Sequence, residues 1–467
     1  MREEELNRAV YEKYIRPTRR KKKNCIGVEI ELPIVNLEKK PVDFSLVHQM
    51  TNRFVECFGF DKQHLDDQGE IYLAVCGRNG DSISYDCSYN TLELSFGPAA
   101  SIVKIENQYV EYLLFLQEFL KKSGHILTGM GINPGFRQNI HRPVPTGRYR
   151  MLRHYLDSYP KHEGKMLFHK HPEFGMFSCA SQVQLDVEET ELPEIIHTFS
   201  RLEPFKALLF ANSYWNEENG ESFLCARDYF WRQSMQGFNP HNLDMYETDI
   251  ASSAEMVEYI KSMSMYCLER EGKYIHFDPL PLKRFFQAEE IEGEYFDGLS
   301  WKNICIKPRL ADLEYLRSFK FEDLTYRGTI EFRSVCTQPI REAMCPVAFH
   351  AGLIQNLHLL TELIDSDSSI YGHGYNAVEL RKLFCREPMP EFVDFKPLKK
   401  MLEKILKLAE DGLRQRGSGE EKYLKPLYDR AEKISNPAKE MVAGLRGGES
   451  MEKYILEYAA PMREWRK

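Results

Sequence analysis

No run of about 18 consecutive apolar residues occurs in this 467-residue sequence, so a membrane-spanning helix is not expected. No Cys-x-x-Cys pair occurs among its 11 cysteines, which are scattered from Cys25 to Cys385. An odd, scattered set without an export signal reads as reduced core thiols rather than a disulfide framework. Met1–Arg20 is charged and has no apolar segment, so no export signal is expected and the cytoplasm is the expected compartment. The net charge of -8 supplies no general excess of basic residues, which argues against a non-specific nucleic-acid binder. The nucleotide loop Gly-x-x-x-x-Gly-Lys-Ser/Thr is missing, and so is the nucleophile turn Gly-x-Ser-x-Gly. Gly129-Met130-Gly131 follows a short apolar run but lacks the third glycine of a dinucleotide site.

What is present is a 43% hydrophobic, 28% charged chain. It is long enough for roughly two or three domains, or for one large sheet-based domain with insertions. A basic run, Arg19-Arg20-Lys21-Lys22-Lys23, closes an amphipathic lead-in and reads as a solvated face. Helical spacing is expected over 43–58, Ile102–Leu120, Tyr149–Tyr155, Leu192–Phe210 and Arg341–Ile364. Helices follow at 397–413, 420–433 and 449–464, with a break at Gly417-Ser418-Gly419. Strands are expected at 25–32, 70–76, 82–96, 125–132, 177–187 and 328–335, and the stretch 215–325 is mixed. Dispersed strands with helices between them predict an α+β fold with helices on the outer face of the sheet.

Four of these strands alternate polar and apolar residues. The first offers Glu29 and Glu31 against Ile26, Val28, Ile30 and Leu32. The second offers Thr91, Glu93 and Ser95 with Asp86 just upstream, and the third offers Gln182, Gln184 and Asp186. The fourth offers Thr329, Glu331 and Arg333. Any half-solvated antiparallel sheet alternates in this way. These faces differ from an ordinary solvated face because their charged members are almost all carboxylates and none is lysine. Carboxylates gathered together repel one another unless cations neutralise them, and hard cations such as Mg²⁺ take oxygen ligands that they share with phosphates. Arg333 suits bidentate phosphate contact. The pattern predicts a sheet face that holds magnesium and ATP. His162, His169 and His171 have no neighbouring cysteine and fall beside Pro172, so they read as a polar loop rather than a zinc site.

The motif strands, in order, resemble the glutamate–cysteine ligases of the plant and proteobacterial type. The matching stretches are IGVEIEL (26–32), LELS (92–95), TGMGINP (128–134), TGRYRMLRHYL (146–156), MFSCASQVQLDV (176–187), EPFKALLFANSYW (203–215) and GTIEFRS (328–334). The resemblance implies a curved, mainly antiparallel, glutamine synthetase-like catalytic sheet with one acid-lined face. It implies an ATP-dependent ligase that phosphorylates the γ-carboxylate of glutamate and passes the acyl group to the amine of cysteine. By the same resemblance, Glu29, Glu31, Asp86, Glu93, Gln182 and Glu331 are magnesium ligands. Glu29, Glu93, Glu331 and Arg333 carry catalysis, and Arg333 with Gln184 serves ATP. Arg227 and Trp231, with Arg150 or Arg153, bind substrate.

Two departures stand out. CARDYFWRQ around Arg227 is less polar than in relatives, which leaves a different amine acceptor open as the alternative, and His141-Arg142 has no counterpart. A non-catalytic binding protein of this fold is the third reading, disfavoured by the intact carboxylate set. The expected organisation is a lead-in at 1–23, a ligase domain at 24–375 and a helical extension at 376–467 that looks specific to this branch and caps the domain or contacts a second subunit. Small-molecule substrates and a monomer or homodimer are expected, with neither nucleic acid nor membrane as partner.

Overall fold

The structure is a computed structural model and describes residues 3–460. Residues 1–2 of the lead-in and 461–467 of the extension, with the end of the helix expected at 449–464, lie outside the described residues. The chain opens with α1 (Glu3–Val10), whose Leu6 and Val10 are buried, and tight turns through Arg19. Then come β1 (Ile26–Asn36), α2 (Phe44–Phe58), β2 (Lys62–Leu65), β3 (Ile71–Val75), β4 (Ser82–Tyr85), β5 (Thr91–Ala99), α3 (Ile102–Lys121) and β6 (His125–Leu127). Next are α4 (Gly147–Asp157), β7 (Ser181–Asp186), α5 (Leu192–Phe210), the short pair β8 (Trp215–Asn216) and β9 (Ser222–Phe223), α6 (Ala226–Arg232), β10 (Leu243–Asp244) and α7 (Ser253–Ser262).

β11 (Ser264–Arg270), β12 (Lys273–Pro281), α8 (Leu282–Gln287), β13 (Ile291–Phe296) and β14 (Trp301–Ile306) follow. β15 (Phe319–Lys320), β16 (Glu322–Leu324) and β17 (Thr329–Phe332) complete the strands. The rest is helical: α9 (Cys345–Leu353), α10 (Leu357–Asp365), α11 (Ala377–Phe384), α12 (Phe395–Arg416), α13 (Lys425–Lys433), α14 (Pro437–Arg446) and α15 (Met451–Tyr458). Among the described residues no helix is long and apolar enough to cross a membrane.

Nine strands form one large sheet in the order β16-β17-β7-β1-β5-β4-β3-β2, with β6 pairing the end of β1. All of its pairings are antiparallel. Alternation fixes its faces. Ile26, Val28, Ile30 and Leu32 of β1 are at most 1% exposed and share a core with Leu92 and Leu94, Val183 and Leu185, and Ile330 and Phe332. α3, α5 and α9 cover that apolar face, giving the mixed helix–sheet architecture expected. The same core takes in Leu6 and Val10 of α1 and Leu398, Leu402, Ile405 and Leu413 of α12. The basic run is ion-paired as well as solvated: Arg19 meets Glu189, Arg20 meets Asp186 and Lys22 meets Glu191. Asp186 therefore holds down the lead-in.

Two differences from the sequence expectation have physical causes. The helix expected over 341–364 is two helices joined by a tighter turn at 354–356. There α9 crosses α12 glycine on glycine: a Cβ on Gly352 would lie 2.2 Å from the Ala409 carbonyl oxygen, and one on Gly412 2.0 Å from the Gly352 oxygen. The mixed stretch 215–325 contains a second antiparallel sheet, β11-β12-β13-β14, against which α4 packs.

Candidate functional site

Antiparallel register gathers the predicted polar side chains. Glu31 stands opposite Glu93, Glu29 opposite Gln182, and Glu331 opposite Gln184. Gln184 works as a clamp: its Nε2 donates to Glu29 Oε1 at 2.9 Å and to Glu331 Oε2 at 3.0 Å, and its Oε1 accepts from Arg327. Glu31 accepts from the Ala180 amide at 2.6 Å and from Gln182 Nε2 at 3.1 Å. The Ser95 hydroxyl donates to Glu93, and the Arg333 guanidinium donates to Glu331 at 2.6 Å.

These groups do not face open solvent as half-exposed strands would. Glu31 and Glu331 are buried, and Glu29, Asp86 and Glu93 are half-buried. α4, α6, β11 and β12 roof part of the polar face and enclose a cavity of about 320 Å³. Glu31, Asp86, Arg148, Gln182, Arg227 and Arg333 line its charged end, and Trp231, Phe174, Tyr266, Tyr274 and Phe319 line the rest.

Burial and crowding act together on the acids. Glu31 is pushed up to about 8 by burial and then by Asp86 and Glu93, against the pull of Arg227. Glu93 rises to about 7 by burial and then Asp86. Glu29 rises well above the usual carboxylate range by burial, then Glu331 and Glu93, and Asp86 is raised by burial. Burial raises these acids first and their mutual repulsion adds to it, and a cation bound among them would oppose both. The Gln182 Oε1 is buried with no hydrogen-bond partner, an acceptor aimed at nothing the chain supplies. The donor set is all oxygen, as Mg²⁺ requires, so the residues fit that ion in type. Among the described residues no three of these carboxylates bring their oxygens within 4.8 Å of one another; they are strung along the strands. Such spacing suits ions that complete their shells with phosphate oxygens and water.

The raised acids predict a linked stability effect. In the unfolded chain they ionise near the ordinary glutamate value of 4.5; in the folded chain Glu93 and Glu31 hold protons to about 7 and 8. Between those limits the native state binds more protons than the unfolded state, so stability falls as pH rises. Without divalent cations the midpoint of thermal unfolding is expected to drop across that window. The gain on adding Mg²⁺ is expected to be a few degrees at pH 8 and near zero at pH 5. Calorimetry with and without Mg²⁺ at both pH values checks this, and a gain that is the same at pH 5 and pH 8 would break the link.

The structure places the predicted arginines unevenly. Arg227 is buried on α6 and donates to the Ser334 and Arg333 carbonyls, and its Nε has no partner. That unpaired donor beside Trp231 on the cavity wall suits an anionic group of a small molecule. Arg150 instead pairs with Asp67 and lies over Phe296, and Arg153 pairs with Asp157 and Glu173; neither lines this cavity. The α4 arginine that does is Arg148, which is neither of the two expected from the sequence. Its signal was there: Arg148, Leu152 and Leu156 recur every fourth residue, and all three line the cavity. Asp323 was missed too. It stands opposite Glu331 and is raised to about 7 by burial against the pull of Arg333. His162, His169 and His171 go to separate partners: Lys165 and Asp278, the Phe230 carbonyl, and Glu217.

Arg381 of α11 holds α6 in place from below. It is 1% exposed and donates to Asp228 at 2.6 Å and to the Glu203 and Ser334 carbonyls. The sequence pattern does not single out this residue on Ala377–Phe384.

Comparison with known proteins bears on the same stretch. The model of the family described as glutamate-cysteine ligase family 2 matches residues 25–459, including the C-terminal helices that the sequence reading set apart. A chloroplastic glutamate–cysteine ligase of Brassica juncea is 23% identical over 429 residues, covering 90% of this chain and 77% of that one. The chloroplastic enzyme of Arabidopsis thaliana is 23% identical over 417 residues, covering 87% and 73%. Among solved structures, a bifunctional glutathione synthetase from Pasteurella multocida superposes with a TM-score of 0.48 at 11% identity, covering 97% of this chain and 52% of that chain. A glutamate–cysteine ligase from Francisella tularensis in complex with AMP gives 0.46 at 12%, covering 95% and 88%. With all but its two ends matched, the chain belongs to glutamate-cysteine ligase family 2.

Proposed function

We propose that this protein uses ATP and Mg²⁺ to join the γ-carboxylate of glutamate to the amine of cysteine through a γ-glutamyl phosphate. The observation that supports it best is a single cavity end where Glu31, Asp86, Arg227 and Arg333 meet while Gln182 Oε1 and Arg227 Nε lack partners. Glu29, Glu31, Asp86, Glu93, Gln182 and Glu331 would hold the metal. When bound there, Mg²⁺ neutralises the charge that builds on the phosphoryl oxygens.

The chain's own residues do the positioning. Arg227 takes the α-carboxylate of glutamate through its free donor, which points the γ-carboxylate toward the acidic strands. Arg333 turns from Glu331 toward the phosphates. A γ-carboxylate oxygen then attacks the terminal phosphorus as the bond to ADP breaks. The amine next attacks the acyl carbon and releases phosphate. The aromatic walls keep water from the acyl phosphate in between. Such catalysis rests on orientation and preorganised charge rather than on a covalent enzyme intermediate.

A second reading has its own support. Trp231, Tyr266, Tyr274 and Phe319 give the cavity a large aromatic surface, which suits an acceptor amine bulkier and more apolar than cysteine. One assay separates the two: phosphate release from ATP with Mg²⁺, glutamate and a panel of amines. Release that needs glutamate and is fastest with cysteine is the expected result. Faster release with a bulky apolar amine favours the second reading, and no release with any donor–acceptor pair sinks both.

A further inference from the structure

Outside the ligase cavity, two trios of potential metal-ligand side chains bring their donor atoms within 4.8 Å of one another among the described residues. One of them, Cys225, Asp228 and Cys385, already has its cation, because Arg381 donates to both oxygens of Asp228. The other is His154, His276 and Glu294, and none of the three lines the cavity that Arg148 enters.

We propose that His154, His276 and Glu294 form a binding site for a borderline transition-metal ion such as Zn²⁺ or Co²⁺. His154 Nε2 lies 3.2 Å from Glu294 Oε2, and His276 Nε2 lies 3.3 Å from the same oxygen. Donors about 2.0–2.1 Å from a tetrahedral ion lie about 3.3 Å apart, which the two histidine–glutamate distances match, and the two histidine nitrogens lie within 4.8 Å of each other. His276 is 5% exposed, and its Nε2 makes no hydrogen bond. That ring nitrogen, the Glu294 carboxylate and the His154 imidazole bring three donor atoms within 4.8 Å of one another.

The scaffold is rigid. His276 and Glu294 are cross-strand partners on β12 and β13. Gly293 lets those strands close up, since a Cβ there would lie 2.9 Å from the His276 carbonyl oxygen. His154 is held from α4 by stacking on Trp301, with ring centroids 3.7 Å apart and planes within 8°. The site borders an open pocket of about 470 Å³, which leaves a fourth position for water or a small ligand. Two imidazoles and one carboxylate favour zinc-like ions over Mg²⁺, so the site is chemically distinct from the acidic strands.

The competing cation is Lys161, whose Nζ is 3.8 Å from Glu294 and whose side chain is 63% exposed, free to swing into solvent.

The test uses the full-length protein, stripped with chelator and kept in excess Mg²⁺ so that oxygen-ligand sites are filled. Co²⁺ is titrated in, and its visible d–d absorption and tryptophan quenching are read together. The expected result is one equivalent of tetrahedral Co²⁺ that Zn²⁺ displaces and that quenches fluorescence through Trp301. His276→Ala and Glu294→Gln are expected to weaken binding at least tenfold, while His358→Ala on the surface changes nothing. His154→Gln, on the half-buried face of α4, gives a variant that keeps the fold should His276→Ala fail. Trp301→Phe is expected to remove most of the quench and keep the absorption. Binding that survives both His154→Gln and Glu294→Gln, or no Co²⁺ bound at micromolar concentration, overturns the proposal. None of these readouts depends on ligase activity.

Discussion

Glu331→Gln is expected to lower glutamate- and Mg²⁺-dependent phosphate release by about a thousandfold or more, and Glu29→Gln by a similar factor. Each removes a charge from the strands proposed to hold the metal, where several kcal/mol of charge stabilisation act at about 1.4 kcal/mol per tenfold in rate. The fold should tolerate both. A glutamine still accepts the Gln184 amide proton that each carboxylate now receives. Glu29 in particular is under pressure from burial, Glu331 and Glu93. Neutralising it relieves that pressure, so without divalent ion Glu29→Gln is expected to melt at or above the wild-type midpoint. Steady-state rates over a Mg²⁺ series, with calorimetry on the same samples, check both halves. Near-full turnover in either variant would remove that residue from the site.

The parts of this site that the sequence displayed are those governed by a period of two. β1, β5, β7 and β17 alternate so strictly that the shared face of Glu29, Glu31, Glu93, Gln182, Gln184 and Glu331 needed only the strands to pair, which they do. Alternation cannot say what lies above a face. Half of each strand reads as solvated, whereas α4, and α6, β11 and β12 from a stretch with weak patterning, come back over it. β14 shows why that stretch was hard to place: Trp301, Lys302, Asn303 and Cys305 are on or near the surface, and only Ile306 is buried.

Arg148 was readable from helical spacing and overlooked. Burial at the far end of α11 was not, because Arg381 and Lys382 are adjacent and chemically alike in the sequence, yet one is sealed in the core and the other faces outward. Only the tertiary position of Asp228 distinguishes them.

Arg381→Met is therefore the second large effect expected, and it reports on support rather than chemistry. Methionine keeps much of the side-chain volume and the packing on Phe321, over which the guanidinium lies at 4.6 Å. What is lost is, among the described residues, the group that spans Asp228 and Glu203, both at most 4% exposed. Asp228 keeps Arg232 and Glu203 keeps Lys206, so the loss is expected to fall below the about 3–5 kcal/mol that a wholly unpaired buried charge costs.

The pH dependence identifies the cause. Burial alone would raise Asp228, but Arg381 and then Arg232 override it and hold its carboxyl well below the usual range. That interaction stabilises the protein above the unfolded Asp value of about 3.9 and is lost as pH falls through the folded value. The deficit of the variant should thus be full at pH 7 and shrink in acid. Arg381→Lys should recover only part of it, since an ammonium cannot bridge two carboxylates as a guanidinium does. Because Asp228 is next to Arg227 on α6, loosening it should also raise the KM for glutamate more than it lowers kcat. Denaturant titrations at pH 7 and at about pH 3, below the unfolded Asp value of about 3.9, with glutamate kinetics, test the whole chain of cause. A deficit under 1 kcal/mol, or one unchanged between the two pH values, would mean that Arg381 does not hold α6 through Asp228.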